Sequence, residues 1–300
     1  MGELSRFVAA LAALAAGIAA VTISALVLHR TPGPTSTSAT SAPAAPAPTP
    51  APAVSGFPSP PEGAVVLARE NGLYALALAF LPQEVRVSVV GQQGDGVGGL
   101  PVSVNGTAAS ECGAGCYSAA LSAREVTVRV RSTRWHVALP RRTPDAEQIV
   151  SRAGKVWRSL RTLGWTDRLA SDPVHAVFSS WRAVAPDRIA YSVRGGYAAV
   201  IIGHTRWDKS PGGGWVRSPQ SIPVKQPAPI WQSAIDAHVV GSTPSAWRIT
   251  FFDPKTPAWF EVVVDKRSLH TLDLHMTTTA HFMHERYGPF DARVHVVPPR

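Results

Sequence analysis

Residues 247–266 read Trp-Arg-Ile-Thr-Phe-Phe-Asp-Pro-Lys-Thr-Pro-Ala-Trp-Phe-Glu-Val-Val-Val-Asp-Lys. Two runs rich in aromatic and β-branched residues flank a Pro-containing connection, the pattern of a β-hairpin. Side chains alternate along a strand, so Trp247, Ile249 and Phe251 share one face, as do Phe260, Val262 and Val264. The same reading extends outward in both directions. Ala176–Ala185, Arg188–Val193, Tyr197–Trp207, Trp215–Arg217 after a Pro211-Gly-Gly-Gly214 turn, and Leu269–Met283 are all strand-like. Ahead of them Thr143 suits a helix cap, Pro144 the first helical position, and Asp145 and Glu147 the first turn. Ile149, Val150, Ala153, Val156, Trp157, Leu160 and Leu163 then form one stripe at helical spacing. A single long helix followed by a β-meander predicts an α+β half-barrel over residues 143–300, with a curved antiparallel sheet wrapped over the helix.

Residues 62–140 are also period-two. Val85, Val87 and Val89 alternate with Glu84, Arg86 and Ser88, and Val126, Val128 and Val130 alternate with Thr127, Arg129 and Arg131. Val102 and Val104 lead into an Asn105-Gly106 turn, and Trp135, Val137 and Leu139 close the series. With Val65–Leu67, Leu73–Phe80 and Tyr117–Leu121, about seven short strands fall in fewer than eighty residues. That spacing predicts an Ig-like β-sandwich, so the chain as a whole is expected to be mainly β.

The amino end differs in kind. Residues 7–28, Phe-Val-Ala-Ala-Leu-Ala-Ala-Leu-Ala-Ala-Gly-Ile-Ala-Ala-Val-Thr-Ile-Ser-Ala-Leu-Val-Leu, are twenty-two residues without a charge. This is enough for a helix to cross a hydrocarbon core of ~30 Å. The run exceeds the ~7–15 residues of a cleaved leader's apolar region and ends without a small-x-small site, so residues 1–30 are read as a retained signal-anchor. Residues 31–61 carry no charge, and ten of the thirty-one are Pro, which predicts an extended spacer. The expected topology is a single pass of the cytoplasmic membrane with the bulk of the chain extracytoplasmic.

The 29 Lys and Arg residues against 20 Asp and Glu give a net charge of +9, which favours anionic surfaces, lipid headgroups first. The basic residues are scattered, without a basic run or a reading motif, so nucleic acid is excluded as a partner. The sequence lacks a nucleophile elbow, an H-E-x-x-H helix, a phosphate loop and a dinucleotide fingerprint, so catalysis is not expected.

The leading helix, the Arg188-Ile-Ala-Tyr191 strand, the Ile202-Gly-His-Thr-Arg-Trp207 strand and the 247–266 hairpin together resemble the half-barrel carriers of the LolA and LppX type, lipid and lipoprotein carriers of the bacterial envelope. The resemblance covers about half of the chain. It implies a carrier-like domain with an apolar cavity, although the cysteine that anchors many such carriers through lipid is missing here. Gly2-Glu-Leu-Ser-Arg-Phe-Val8 and Ala-Val-Thr-Ile-Ser-Ala-Leu-Val-Leu28 with the Pro-rich exit resemble the terminal membrane helix and envelope extension of CopD copper-resistance proteins. That likeness raises copper as a ligand.

Two classes of site follow. An apolar ligand, such as an acyl chain, would be lined by Ile189, Tyr191, Val200, Ile202, Trp247, Ile249, Phe251, Phe260, Val262, Val264, Leu272, Leu274 and Met276 on the concave side of the sheet. A filled core is the alternative for the same residues. Copper would draw on Cys112 and Cys116 as thiolates, or on His281, Met283 and His284. His275 and His281, six residues apart on one strand, are separated by ~20 Å and cannot hold one ion without a bend. For Cys112-Gly-Ala-Gly-Cys116 the structural expectation is a disulfide, because both cysteines follow the anchor and envelope compartments are oxidising. The resulting expectation is a membrane-anchored binding protein that holds a hydrophobic or lipid-like ligand or a partner segment and needs no cofactor. The alternatives are copper handling and an interaction module that engages a membrane protein partner.

Overall fold

The computed structural model describes residues 60–121, 123–172, 175–279 and 281–300. The membrane segment expected over 7–28, and all but the last two residues of the linker, lie outside the described residues. Among the described residues no helix is long and apolar enough to cross a membrane.

The first half is built from β1 (Val65–Asn71), β2 (Tyr74–Phe80), β3 (Glu84–Val90), β4 (Val102–Val104), β5 (Thr107–Ala108), β6 (Ser110–Gly113), β7 (Cys116–Ala120), β8 (Glu125–Val130) and β9 (Thr133–Ala138). One sheet has the order β1-β2-β3-β7-β6 and the other β5-β4-β8-β9. Leu76, Leu78, Val85 and Val87 of the first meet Val102, Val104, Val126 and Val128 of the second in one buried cluster, so the two sheets form a sandwich. Tyr117 ties the structure to the loop before β4. Its buried hydroxyl donates to the Val97 carbonyl at 2.7 Å and accepts from the Leu100 N–H at 2.9 Å.

Strand β2 has no solvent face. Leu76, Leu78 and Phe80 point into the sandwich. Ala75, Ala77 and Ala79 point the other way and pack on Phe252, Trp259 and Phe282 of the second half. Alanine is short enough to let the backbone of one sheet approach large aromatics on the other, and a strand covered on both faces reads as a near-continuous apolar run. The Thr250 hydroxyl donates to the Val66 carbonyl at 2.6 Å across the same contact.

The second half holds α1 (Glu147–Ser159), β10 (Thr162–Ala170), β11 (Ala176–Val184), β12 (Arg188–Val193), β13 (Ala198–Ile202), β14 (Thr205–Lys209), β15 (Trp215–Pro219), β16 (Ile235–Ser242), β17 (Ala246–Asp253), β18 (Ala258–Asp265), β19 (Thr271–Thr278) and β20 (His281–Phe290). All eleven strands join one antiparallel sheet, ordered β15-β14-β13-β12-β11-β10-β20-β19-β18-β17-β16. Inner-face side chains from strands far apart in that order, Ile189 and Ile201 on one side and Ile249 and Phe260 on the other, share one buried cluster with Val150, Ala153 and Trp157 of α1. A flat sheet of this width would keep them apart, so the sheet curls around the helix.

Several boundaries depart from the sequence reading; one is the expected strand 197–207, which is two strands, β13 and β14, paired across a turn at Gly203-His204. The helix is shorter at both ends. Thr143 does not cap it, because the chain before it runs along β16, with the Ala146 N–H bonded to the Ala237 carbonyl and the Val239 N–H to the Pro144 carbonyl. At the other end Leu160 is already extended (φ −63°, ψ 139°), and Leu163, expected on the helix because it follows Leu160 at a three-residue spacing, belongs to β10, a strand not anticipated over 162–170. The expected strand 269–283 is likewise two strands folded back on each other. Nor was β16 anticipated; irregularities between Ile235 and His238 and between Val239 and Gly241 break its alternation.

Candidate functional site

The concave side of the large sheet is closed by two things, α1 and a strap of coil over residues 220–234 that joins the edge strands β15 and β16. The strap is pinned by Asp253, which is fully buried. The Asp253 carboxylate accepts from the Gln232 N–H and from the Ser233 hydroxyl, each at 2.8 Å. The strap inserts Val224 and Trp231 into the core. The Trp231 ring lies 5.2 Å from Trp157, 5.6 Å from Phe251 and 6.2 Å from Phe260, centroid to centroid, each edge-on. Edge-to-face aromatic packing of this kind contributes ~0.5–1.5 kcal/mol per pair beyond burial.

Most of the expected apolar lining is found in this interior. Ile189, Ile249, Phe251, Phe260, Val262, Val264, Leu274 and Met276 are buried there, with Tyr191 and Trp247 packed at the margin. In this conformation they touch one another, the helix and the strap. Val200 and Ile202 lie elsewhere, in a small cluster with Ala190, Val296, Trp207 and Trp215. Leu272 is exposed, because a register shift between Val263 and Val264 sets Val264 opposite Thr271 and Val263 opposite Asp273 and leaves Leu272 out of the ladder.

The interior also holds polar groups that sequence reading missed. Asp167 of β10 and Glu285 of β20 are direct cross-strand partners, and both are buried. The Ser179 hydroxyl donates to Asp167 at 3.2 Å and accepts from the Trp181 indole N–H at 2.6 Å. The other Asp167 carboxylate oxygen has no hydrogen-bond partner among the described residues. The Tyr287 hydroxyl donates to Glu285. Burial pushes the Asp167 carboxyl up to about 7, against the Ser179 hydrogen bond. Burial, and then the neighbouring Asp167 charge, push Glu285 up to about 8. Trp165 and Trp181 stack beside this pair with centroids 5.5 Å apart. The signal available in sequence was an acidic residue at an inward position of each strand, Asp167 between Trp165 and Leu169 and Glu285 between Met283 and Tyr287.

The cysteines and histidines fall outside this interior. Cys112 and Cys116 form a disulfide with a Cα–Cα distance of 5.0 Å, so neither sulfur is present as a thiolate. The set His281, Met283 and His284 is divided. Met283 is buried in the inner cluster and also borders a cavity of about 360 Å³ between the sandwich and the large sheet, which His284 lines. His281 lies at the β19–β20 turn with its Nδ1 3.3 Å from the Thr279 carbonyl. Around that cavity Arg69 pairs with Glu261 at 3.4 Å and Arg168 approaches Glu70 at 3.9 Å.

No family model matches this chain, and no curated protein does. Among solved structures the chain is similar to a crystal structure of a LolA superfamily protein from Nitrosomonas europaea, with a TM-score of 0.26 and 10% identity over 52% of this chain and 96% of that chain. A likeness at this level assigns neither fold family nor function.

Proposed function

We propose that this chain is a membrane-tethered, extracytoplasmic binding protein whose curved sheet holds an apolar ligand of the acyl-chain type when the strap over residues 220–234 withdraws. In this proposal the large sheet with α1 is a half-barrel of the LolA/LppX kind, the sandwich is Ig-like, and residues 7–28 are the anchor. The domains divide at residues 62–140 and 143–300.

The observation that carries the reading is the way the apolar interior is closed. One side of the core is a short coil, pinned through Asp253, whose Trp231 fills the aromatic slot between Trp157, Phe251 and Phe260. Removing a buried aromatic side chain costs ~3–5 kcal/mol, so an open form is a minor species without ligand. Burial of an acyl chain returns ~0.8 kcal/mol per methylene, so about four to six methylenes offset that cost and longer chains favour the open, loaded form. Catalysis plays no part in this reading.

The test is organic extraction and mass spectrometry of residues 60–300 exported without the preceding segment. The proposal expects about one lipid per chain from the wild type. It also expects changed occupancy in Trp231→Ala, which vacates the slot. Lipid-free protein in both forms, with no uptake from added fatty acid, overturns it.

A further inference from the structure

The β19–β20 hairpin sets three donors side by side on its outer face. His275 and His284 are direct cross-strand partners, and Asp273 precedes His275 by two residues on the same face. The imidazoles stack with centroids 3.9 Å apart. The Asp273 carboxylate reaches both rings, with Oδ1 3.3 Å from His275 Nε2 and Oδ2 2.9 Å from His284 Nε2. One ligand atom from each residue falls within 4.8 Å of the other two. Ligands at ~2.0–2.2 Å around a tetrahedral ion are ~3.3 Å apart, so the donors already stand near the spacing of a metal's coordination shell.

We infer that Asp273, His275 and His284 form a binding site for a divalent ion from the zinc and copper end of the first row. Two imidazoles and one carboxylate suit such ions, whereas calcium and magnesium call for oxygen ligands alone. By the usual order of affinities copper(II) binds more tightly than zinc(II). Three protein ligands leave one coordination position open. His275 and His284 both line the cavity of about 360 Å³ at the junction with the sandwich, so that position faces a space large enough for water or a small ligand. The three residues sit on strands seventh and eighth in an eleven-stranded order, so ladder hydrogen bonds on both sides hold the backbone of the site. The ion turns the two rings out of their stack until both Nε2 lone pairs converge on it.

The surrounding charges leave one positive charge in excess. Arg286 approaches Asp273 at 3.7 Å but is largely exposed and free to swing away. Glu261, directly opposite His275 on β18, pairs with both Arg69 at 3.4 Å and Arg248 at 3.7 Å, which offsets one of those two cations and draws both guanidinium groups away from the metal position. This site lies on the outer face of the sheet and is independent of the apolar ligand proposed for the inner face.

The test is titration of the full-length, metal-stripped chain with zinc(II) and copper(II), beside His275→Gln, His284→Gln and Asp273→Asn. The expected result is one ion per wild-type chain, raised thermal stability with metal, and at least tenfold weaker binding in each variant. The copper(II) electron paramagnetic resonance spectrum should show coupling to two imidazole nitrogens in the wild type and to one in either histidine variant. Equal unfolding temperatures without metal show that the variants fold. Binding unchanged in all three variants, or no binding at 100 µM metal, overturns the inference.

Discussion

Replacing Asp167 by Asn should change how the stability of this protein depends on pH. Asp167 and Glu285 are cross-strand partners inside the core, raised to about 7 and about 8 from ordinary values of 3.8 and 4.5. A carboxyl whose folded pKa is raised holds its proton in the native state after the unfolded chain has lost it. The unfolded state then binds fewer protons, and stability falls as pH rises. The loss begins near pH 4 and is complete above pH 8. Three units at ~1.4 kcal/mol each correspond to ~4 kcal/mol for one such group. Asn keeps the shape, cannot ionise, and removes the charge that helps to raise Glu285. At pH 4 the variant should match the wild type within ~1 kcal/mol, at pH 5 it should be more stable by ~1–2 kcal/mol, and at pH 9 by ~4 kcal/mol. Urea unfolding followed by tryptophan fluorescence from pH 4 to pH 9 measures both slopes. A wild type whose stability is flat or rises over that range refutes the reasoning, as does a variant with an unchanged slope.

Three further outcomes follow from packing, backbone geometry and loop closure. Ala77→Leu places a large side chain where β2 meets Phe252, Trp259 and Phe282, and overpacking of this kind should lower stability by ~1–3 kcal/mol, read as a fall in melting temperature. Gly115→Ala should cost ~2 kcal/mol or more by chemical denaturation, because Gly115 has φ +69° and an added Cβ would stand 2.5 Å from the Val89 carbonyl oxygen. Reducing Cys112–Cys116, which closes a loop with three intervening residues, should cost less than the ~3 kcal/mol of a fifteen-residue loop and leave the sandwich folded.

Much of the fold was legible in the sequence because alternation survives wherever one face of a strand is buried. Val85, Val87 and Val89, or Phe260, Val262 and Val264, specify a face unaided. The reading failed where a helical spacing ran past the helix end and where a tight turn sat inside an apolar run, as at Gly203-His204 between β13 and β14. Leu160 and Leu163 keep a helical spacing past the end of α1, although on a strand residues three apart point to opposite faces. Thr277-Thr278-Thr279 carries no Gly, Asn or Pro to mark a reversal, so β19 and β20 looked like one strand. That single error hid the metal candidate, because His275 and His284 become neighbours only when the chain folds back between them. The inter-sheet contact was not anticipated, although Tyr-Ala-Leu-Ala-Leu-Ala-Phe, residues 74–80, alternates between large and small and never between apolar and polar. The acidic pair depended on register between β10 and β20, which sequence does not display.

The measurement that bears most directly on the proposed role is photocrosslinking of the full-length chain in bacteria supplied with a photoactivatable fatty acid, followed by peptide mapping. The account predicts adducts on peptides that carry Trp231, Phe251, Phe260 and Leu274, the residues beneath and within the strap. Adducts confined to the outer surface of the sheet or to the amino-terminal segment, with those four peptides unmodified, would contradict it.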